Sequence, residues 1–228
     1  MTRYERQIAI REIGIAGQEA LAKASVLIVG VGGLGCVSTT YLAAAGVGRI
    51  GLADADIVAP NNLNRQICYN ESDIGQLKVN CAANYLRRLN SGIVVEAMPL
   101  YLTESNAPTI IPNYDIIVDG TDNYESRFII SDICASLHKP FVYGAVCEFS
   151  GQVGILCCGE RSYRDFMPDV EQIPRQAKDK NIIGPTAGVV GCMQASEVIK
   201  YITMRNTSLI DKLCVINLLT CQTDILSL

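Results

Sequence analysis

Tryptophan is missing from this chain of 228 residues, and histidine occurs once, as His138. With one imidazole there is almost nothing from which to build a histidine-rich metal site, a Ser-His-Asp triad or a Cys-His pair. Long apolar runs are also missing: none approaches the ~20 residues that a membrane-spanning helix needs. The opening MTRYERQIAIREIG is polar and periodic, unlike a signal peptide, so the expectation is a cytoplasmic protein with no membrane partner. Charge is sparse, at 18% of residues with a net of -4, which argues against nucleic acid as the partner. The chain has no repeat, low-complexity tract or obvious linker. With 49% hydrophobic residues it can fill a core of its own, which excludes long disordered tails.

What is plentiful is cysteine. The ten thiols stand at Cys36, Cys68, Cys81, Cys134, Cys147, Cys157, Cys158, Cys192, Cys214 and Cys221. None has CxxC spacing, and most fall in apolar stretches such as VGILCCG and KLCVINLL. The expected role is therefore that of small reduced core residues, without a zinc site.

Short β-branched runs alternate with helical patterns through the first half. SVLIVG (25–30) reads as a buried strand, 34–47 as a helix, RIGLAD (49–54) as a strand and 76–90 as a helix. IVVEAMP, YDIIVDG, a helix over about 125–137 and PFVYGAV follow. Strands apolar on both faces in a βαβα series predict a doubly wound, Rossmann-like, mostly parallel sheet. GQVGILCC reads as a strand that joins antiparallel, and 159–184 as a long polar loop. A helix from Pro185 to about Met204 and two short strands complete an antiparallel C-terminal extension.

Gly30-Val31-Gly32-Gly33-Leu34-Gly35 matches GxGxxG between the first strand and its helix, where backbone N–H groups and the helix N-terminus can approach a phosphate. Asp54 ends the second strand, placed to accept hydrogen bonds from a ribose. A dinucleotide would suit that fingerprint alone. The surrounding residues point elsewhere. Asp56 leads into Asn61-Asn62-Leu63-Asn64-Arg65-Gln66, Lys78 opens the next helix, and Asp122-Asn123 follows the fourth strand at the same end of the sheet. Two cations and an extra carboxylate suit a triphosphate with Mg²⁺ better than a hydride carrier.

The dispersed motifs RYERQ, GIAGQEAL, VLIVGVGGLG, YLAAAGVG, DAD, NNLNRQ, IGQLK, DGTDN, GQV and GPTAGVVGCMQASEVIK resemble, in order and spacing, the ThiF/MoeB/HesA family, relatives of ubiquitin-activating enzymes. The resemblance runs from residue 3 to the C-terminus. It implies an adenylyltransferase that uses ATP and Mg²⁺ to adenylate the C-terminal glycine carboxylate of a ubiquitin-like sulfur-carrier protein. By that resemblance Asp54 holds the ribose and Gly33 admits the nucleotide. Asn62, Arg65 and Lys78 contact phosphates, and Asp122 coordinates Mg²⁺. Gly30, Gly32, Gly35, Asp56, Gln66 and Asn123 complete the expected nucleotide-binding set. Arg6 is expected to act in trans at the partner's site in a homodimer. The implied layout is one adenylation domain: a helical arm over 1–24, a nucleotide-binding half over 25–150 and a carrier-binding half over 151–228.

The chain also departs from the family. Where many members carry a zinc-binding CxxC, Ser162 and Asp165 stand in SYRD, and no second pair follows. No cysteine lies between Cys158 and Cys192, with Ala177 near the place where many members have one. The implied protein is zinc-free and takes sulfur from a separate donor. The short SYRD form leans toward the thiamine-pathway carrier over the molybdopterin one. The charges of loop 159–184 (Arg161, Arg164, Asp165, Asp169, Glu171, Arg175, Lys178, Asp179, Lys180) suit either a docking site or a solvated surface. Alternatives are the same adenylation on a tRNA adenosine or a peptide, an NAD-dependent dehydrogenase, or a nucleotide-binding scaffold.

Overall fold

The most apolar segments of the chain lie side by side in the computed structural model, which describes residues 3–165, 167, 181–205 and 207–228. Strands β1 (Ser25–Val29), β2 (Arg49–Ala53) and β4 (Ile116–Asp119) are buried along nearly their whole length. With β3 (Val94–Met98), β5 (Phe141–Cys147), β6 (Ser150–Leu156), β7 (Lys212–Asn217) and β8 (Gln222–Ser227) they form one sheet of order β3-β2-β1-β4-β5-β6-β7-β8. The first five are parallel and the last three antiparallel. The antiparallel entry of β6 and the two closing strands agree with the sequence reading.

Helices cover both faces, as parallel strands require. On one side α2 (Gly14–Lys23), α3 (Gly33–Ala45), α4 (Lys78–Leu89) and α7 (Gly184–Met204) pack over Val26, Ile28, Ile50, Leu52 and Val118. On the other, α5 (Ala107–Ile110) and α6 (Tyr124–Ser136) pack over Leu27, Val29, Ile117 and Phe141. Gly46, with φ +87°, stops α3 in the left-handed conformation that favours glycine at a helix end. α5 is a single turn carrying Pro108, too short to leave a period in the sequence.

The strand order reverses at β1, whose neighbours are β2 and β4. Val29 is in register with both Ala53 and Asp119. The loops leaving these strands therefore diverge from one point, and a crevice opens there. α1 (Glu5–Ile8) lies at the far end of α3: Gln7 Nε2 donates to the Ala45 carbonyl at 3.0 Å, and the Tyr4 hydroxyl accepts from Asn90 Nδ2 at 2.9 Å.

The expected core placement of the cysteines needs one correction. All ten are free thiols, but Cys147 and Cys221 are exposed. Cys147 ends β5 where the strand leaves the core, and Cys221 sits in the turn between β7 and β8, whose residues are all exposed. Apolar neighbours in sequence do not bury a side chain at a strand end or on the outermost strand of a sheet.

Candidate functional site

A cavity of about 590 Å³ occupies the crevice at the C-terminal ends of the parallel strands. Its floor is the glycine turn. Gly30 has φ +86°, and a Cβ there would lie 2.6 Å from the Gly120 carbonyl oxygen, so only glycine lets the loops after β1 and β4 close against each other. Gly32, Gly33 and the start of α3 line the same wall. Gly35 does not. A Cβ at Gly35 would collide with the Gly30 carbonyl, so this glycine closes the turn rather than facing a ligand.

Asp54 is buried at the end of β2, and both its oxygens meet backbone. Oδ2 accepts the Val31 N–H at 2.8 Å and Oδ1 the Asp56 N–H at 2.8 Å. Asp54 therefore ties the glycine turn to β2 while facing the cavity. Asp56 Oδ2 pairs with Lys78 Nζ at 2.8 Å, and its other oxygen accepts from the Tyr101 hydroxyl. That hydrogen bond to Asp56 pushes the Tyr101 phenol up to about 12. Lys78 opens α4 and is only 5% exposed, a buried ammonium held at the cavity wall by a half-exposed carboxylate.

Between β2 and α4 the amide-rich loop folds into a short helical turn over Pro60–Asn62, where Asn62 Oδ1 accepts the Ala59 N–H at 3.0 Å. Arg65 Nη1 donates to the Asn61 carbonyl at 2.9 Å and to Asn64 Oδ1 at 2.8 Å, which points the loop's cation along the cavity edge. Gln66 is 4% exposed and lines the cavity, yet its buried Oε1 has no hydrogen-bond partner. From β4 come Gly120, Thr121, Asp122 and Asn123, the last capping α6 by accepting the Ser126 N–H at 2.9 Å.

Eleven of the twelve residues expected to bind nucleotide thus line one cavity, with Gly35 beside it. Arg6 does not reach it in its own chain. It is exposed on α1, at the C-terminal end of α3, whereas the glycine turn lies at the N-terminal end of that helix. Thirteen helical residues separate the two ends, roughly 18–20 Å. Sequence reasoning missed Tyr101 and Arg127. Arg127 is buried among cavity-lining residues, with Nε 2.9 Å from Asp119 Oδ2. Burial works against its charge, and the Asp119 carboxylate more than restores it, holding the guanidinium above the ordinary arginine value. The only sequence signal for it was an arginine on the apolar side of α6.

The SYRD segment forms a self-capped turn. Asp165 Oδ2 accepts both the Ser162 N–H at 2.6 Å and the Ser162 hydroxyl at 2.7 Å. Arg164 makes two bonds of 2.6 Å to the Asp132 carboxylate, and Tyr163 is fully buried between them. No group of three or more His, Cys, Asp or Glu side chains that could hold a metal by themselves occurs among the described residues. Of the charged loop residues, Asp169, Glu171, Arg175, Lys178, Asp179 and Lys180 lie outside the described residues, as does Ala177. No helix among the described residues is long and apolar enough to cross a membrane.

Comparison with known proteins places these features. The chain is 44% identical over 207 residues to the adenylyltransferase and sulfurtransferase MOCS3 of Culex quinquefasciatus, a match covering 89% of this chain and 47% of that protein. It is 42% identical over 205 residues to a probable molybdopterin-synthase adenylyltransferase of Porphyra purpurea, covering 88% of this chain and 54% of that one. The chain thus spans about half the length of these curated relatives. Among solved structures, E. coli MccB with ATP superposes with a TM-score of 0.87 at 23% identity, covering all of this chain and 71% of MccB, a likeness of fold. The model of the ThiF family matches residues 4–228, and the chain belongs to that family.

Proposed function

We propose that this protein is an ATP- and Mg²⁺-dependent adenylyltransferase that activates the C-terminal glycine carboxylate of a ubiquitin-like sulfur-carrier protein and releases pyrophosphate. The observation that carries the reading is convergence. A glycine turn, the ribose-side carboxylate Asp54, the cations Arg65 and Lys78 and the carboxylate Asp122 meet in one cavity although they come from five separate stretches of chain.

The chemistry asks little of acid–base groups. A carrier's terminal carboxylate is ionised at pH 7, so its attack on the α-phosphorus needs no proton removed. The obstacle is an anion approaching a polyanion. Arg65 and Lys78 set positive charge along the phosphate path, and the N–H groups at the start of α3 add their dipoles. Lys78 already sits in its place through Asp56 and Tyr101, so little reorganisation is needed when phosphate arrives. Asp122 would hold Mg²⁺ together with phosphate oxygens, the usual arrangement of one carboxylate with phosphates, and the ion would supply further charge cancellation there. The cavity continues past Cys147, Ser150, Gly151 and Gln152 on β5 and β6, and this extension is where an extended carrier tail would lie.

Arg6 supports a homodimer. Since it is a helix length from its own cavity, the family's arginine position contributes to catalysis only from a second copy. The Porphyra purpurea relative, whose name refers to molybdopterin synthase, favours a carrier of that type over the thiamine-type carrier expected from the SYRD segment. The test is intact-mass analysis of each carrier type after incubation with the protein and Mg-ATP. Formation of a carrier adenylate on one of them, and none on that carrier without its terminal glycine, is expected. ATP binding without an adenylate on either carrier would overturn the reading.

A further inference from the structure

The loop that presents Asp122 is only four residues long, running from Gly120 to Asn123 between β4 and α6. Its two ends are held by different means. At the α6 end, Asn123 caps the helix. At the β4 end the hold is a buried charged cluster. Asp119 Oδ1 accepts the Thr121 N–H at 2.9 Å and the Thr121 hydroxyl at 2.6 Å. Its Oδ2 accepts Arg127 Nε at 2.9 Å. Arg127 Nη2 then donates to the carbonyls of Thr121 at 3.0 Å and of Gly144 at 3.2 Å, joining the loop to β5. Tyr143 lies with its ring centroid 5.3 Å from the guanidinium carbon. From the opposite face of the sheet, Gln194 on α7 donates to the Asp119 carbonyl at 2.7 Å.

We infer that Arg127 is a positioning residue for the adenylation reaction: its fork, locked on Asp119, Thr121 and Gly144, sets the placement of the Asp122 carboxylate. The inference rests on the reading of Asp122 as the carboxylate that meets Mg²⁺. Two physical arguments carry it. A buried ion pair is seldom more stabilising than an apolar filling of the same space, so stability alone does not account for a charge pair in the wall of a ligand cavity. A metal-facing carboxylate, for its part, is useful only when held within about half an ångström of its working place by groups that are themselves fixed. The planar guanidinium does this because one side chain bonds a carboxylate and two carbonyls from three segments at once. A lysine keeps the charge but not the fork.

The test is calorimetric binding of a non-hydrolysable ATP analogue to the whole protein, with Mg²⁺ and with EDTA, for wild type, Arg127→Lys and Asp122→Ala. In wild type Mg²⁺ is expected to tighten analogue binding. Arg127→Lys should cut that Mg²⁺-dependent gain by about 10-fold or more, the usual effect of losing a group that orients a metal's ligand, while leaving the metal-free affinity unchanged. A purely structural role would lower the melting temperature and leave the gain intact, and a folded variant with an intact gain overturns the inference. Should Arg127→Lys not fold, Arg127→Gln, which keeps a hydrogen-bonding head but neither the charge nor the fork, carries the same expectation, and an intact gain in that folded variant overturns the inference equally. If Asp122→Ala keeps the gain, the reading of Asp122 fails and this inference with it. If Asp122→Ala loses the gain while a folded Arg127 variant keeps it, only the inference about Arg127 fails.

Discussion

Single residues carry the chemistry proposed here, and they differ in how visible they were. Asp54 could be read from its place at a strand end, and the roles of Arg65, Lys78 and Asp122 from the motifs around them, which resemble those of the ThiF/MoeB/HesA family. Arg127 and Tyr101 could not, because their partners, Asp119 with Gly144 and Asp56, come from elsewhere in the chain. Gly35, placed in the expected nucleotide-binding set, lies beside the cavity and leaves no room for a Cβ against the Gly30 carbonyl. At this scale, Lys78→Ala is expected to lower adenylation by about 100-fold or more, because a preorganised cation facing developing charge is lost. Its partner Asp56 would be left without the ammonium, so a parallel melting curve separates chemistry from folding. Gly30→Ala should cost about 2 kcal/mol or more, since it forces an L side chain to φ +86° and a Cβ against the Gly120 carbonyl. An unchanged denaturation midpoint would mean that the loops after β1 and β4 are not pressed together as described.

Elements of regular structure were legible almost throughout, for a physical reason. The central strands β1, β2 and β4 are buried on both faces and so are nearly uniform in apolar residues, and the long helices announce themselves by spacing and end signals such as Asn123, Gly46 and Pro185. α5 escaped because one turn has no period. The turn at Ser162–Asp165 was read only as a departure from cysteine, and its internal hydrogen bonds became visible in three dimensions. Those bonds from the Ser162 side chain and backbone hold the Asp165 carboxyl below its usual value. The stability they add is therefore full above the ordinary aspartate pKa of about 3.9 and is lost as pH falls through the lower folded-state value. Wild type is accordingly expected to lose stability with acid more steeply than Asp165→Asn between about pH 2 and 5, read from melting curves. Equal slopes would show that the turn does not hold this proton equilibrium.

For the whole molecule, the sheet order is what turns scattered residues into a site, because the reversal at β1 brings the loops after β1, β2 and β4 to one crevice. The same architecture sets α1 at the far end of α3, away from its own chain's cavity, and the proposed dimer would bring Arg6 to a second one. Mixing equal amounts of Arg6→Ala and Lys78→Ala protein after subunit exchange should restore about a quarter of wild-type sites, since half of the dimers are mixed and each has one intact site. No recovery would remove the trans role of Arg6. The most direct measurement of the proposed chemistry as a whole is ATP–pyrophosphate exchange by wild type and by Asp122→Ala. Each is assayed with a ubiquitin-like sulfur carrier and with that carrier lacking its terminal glycine. Exchange is expected only from wild type with the intact carrier. Near-normal exchange by folded Asp122→Ala, or none by wild type that still binds ATP, would contradict it.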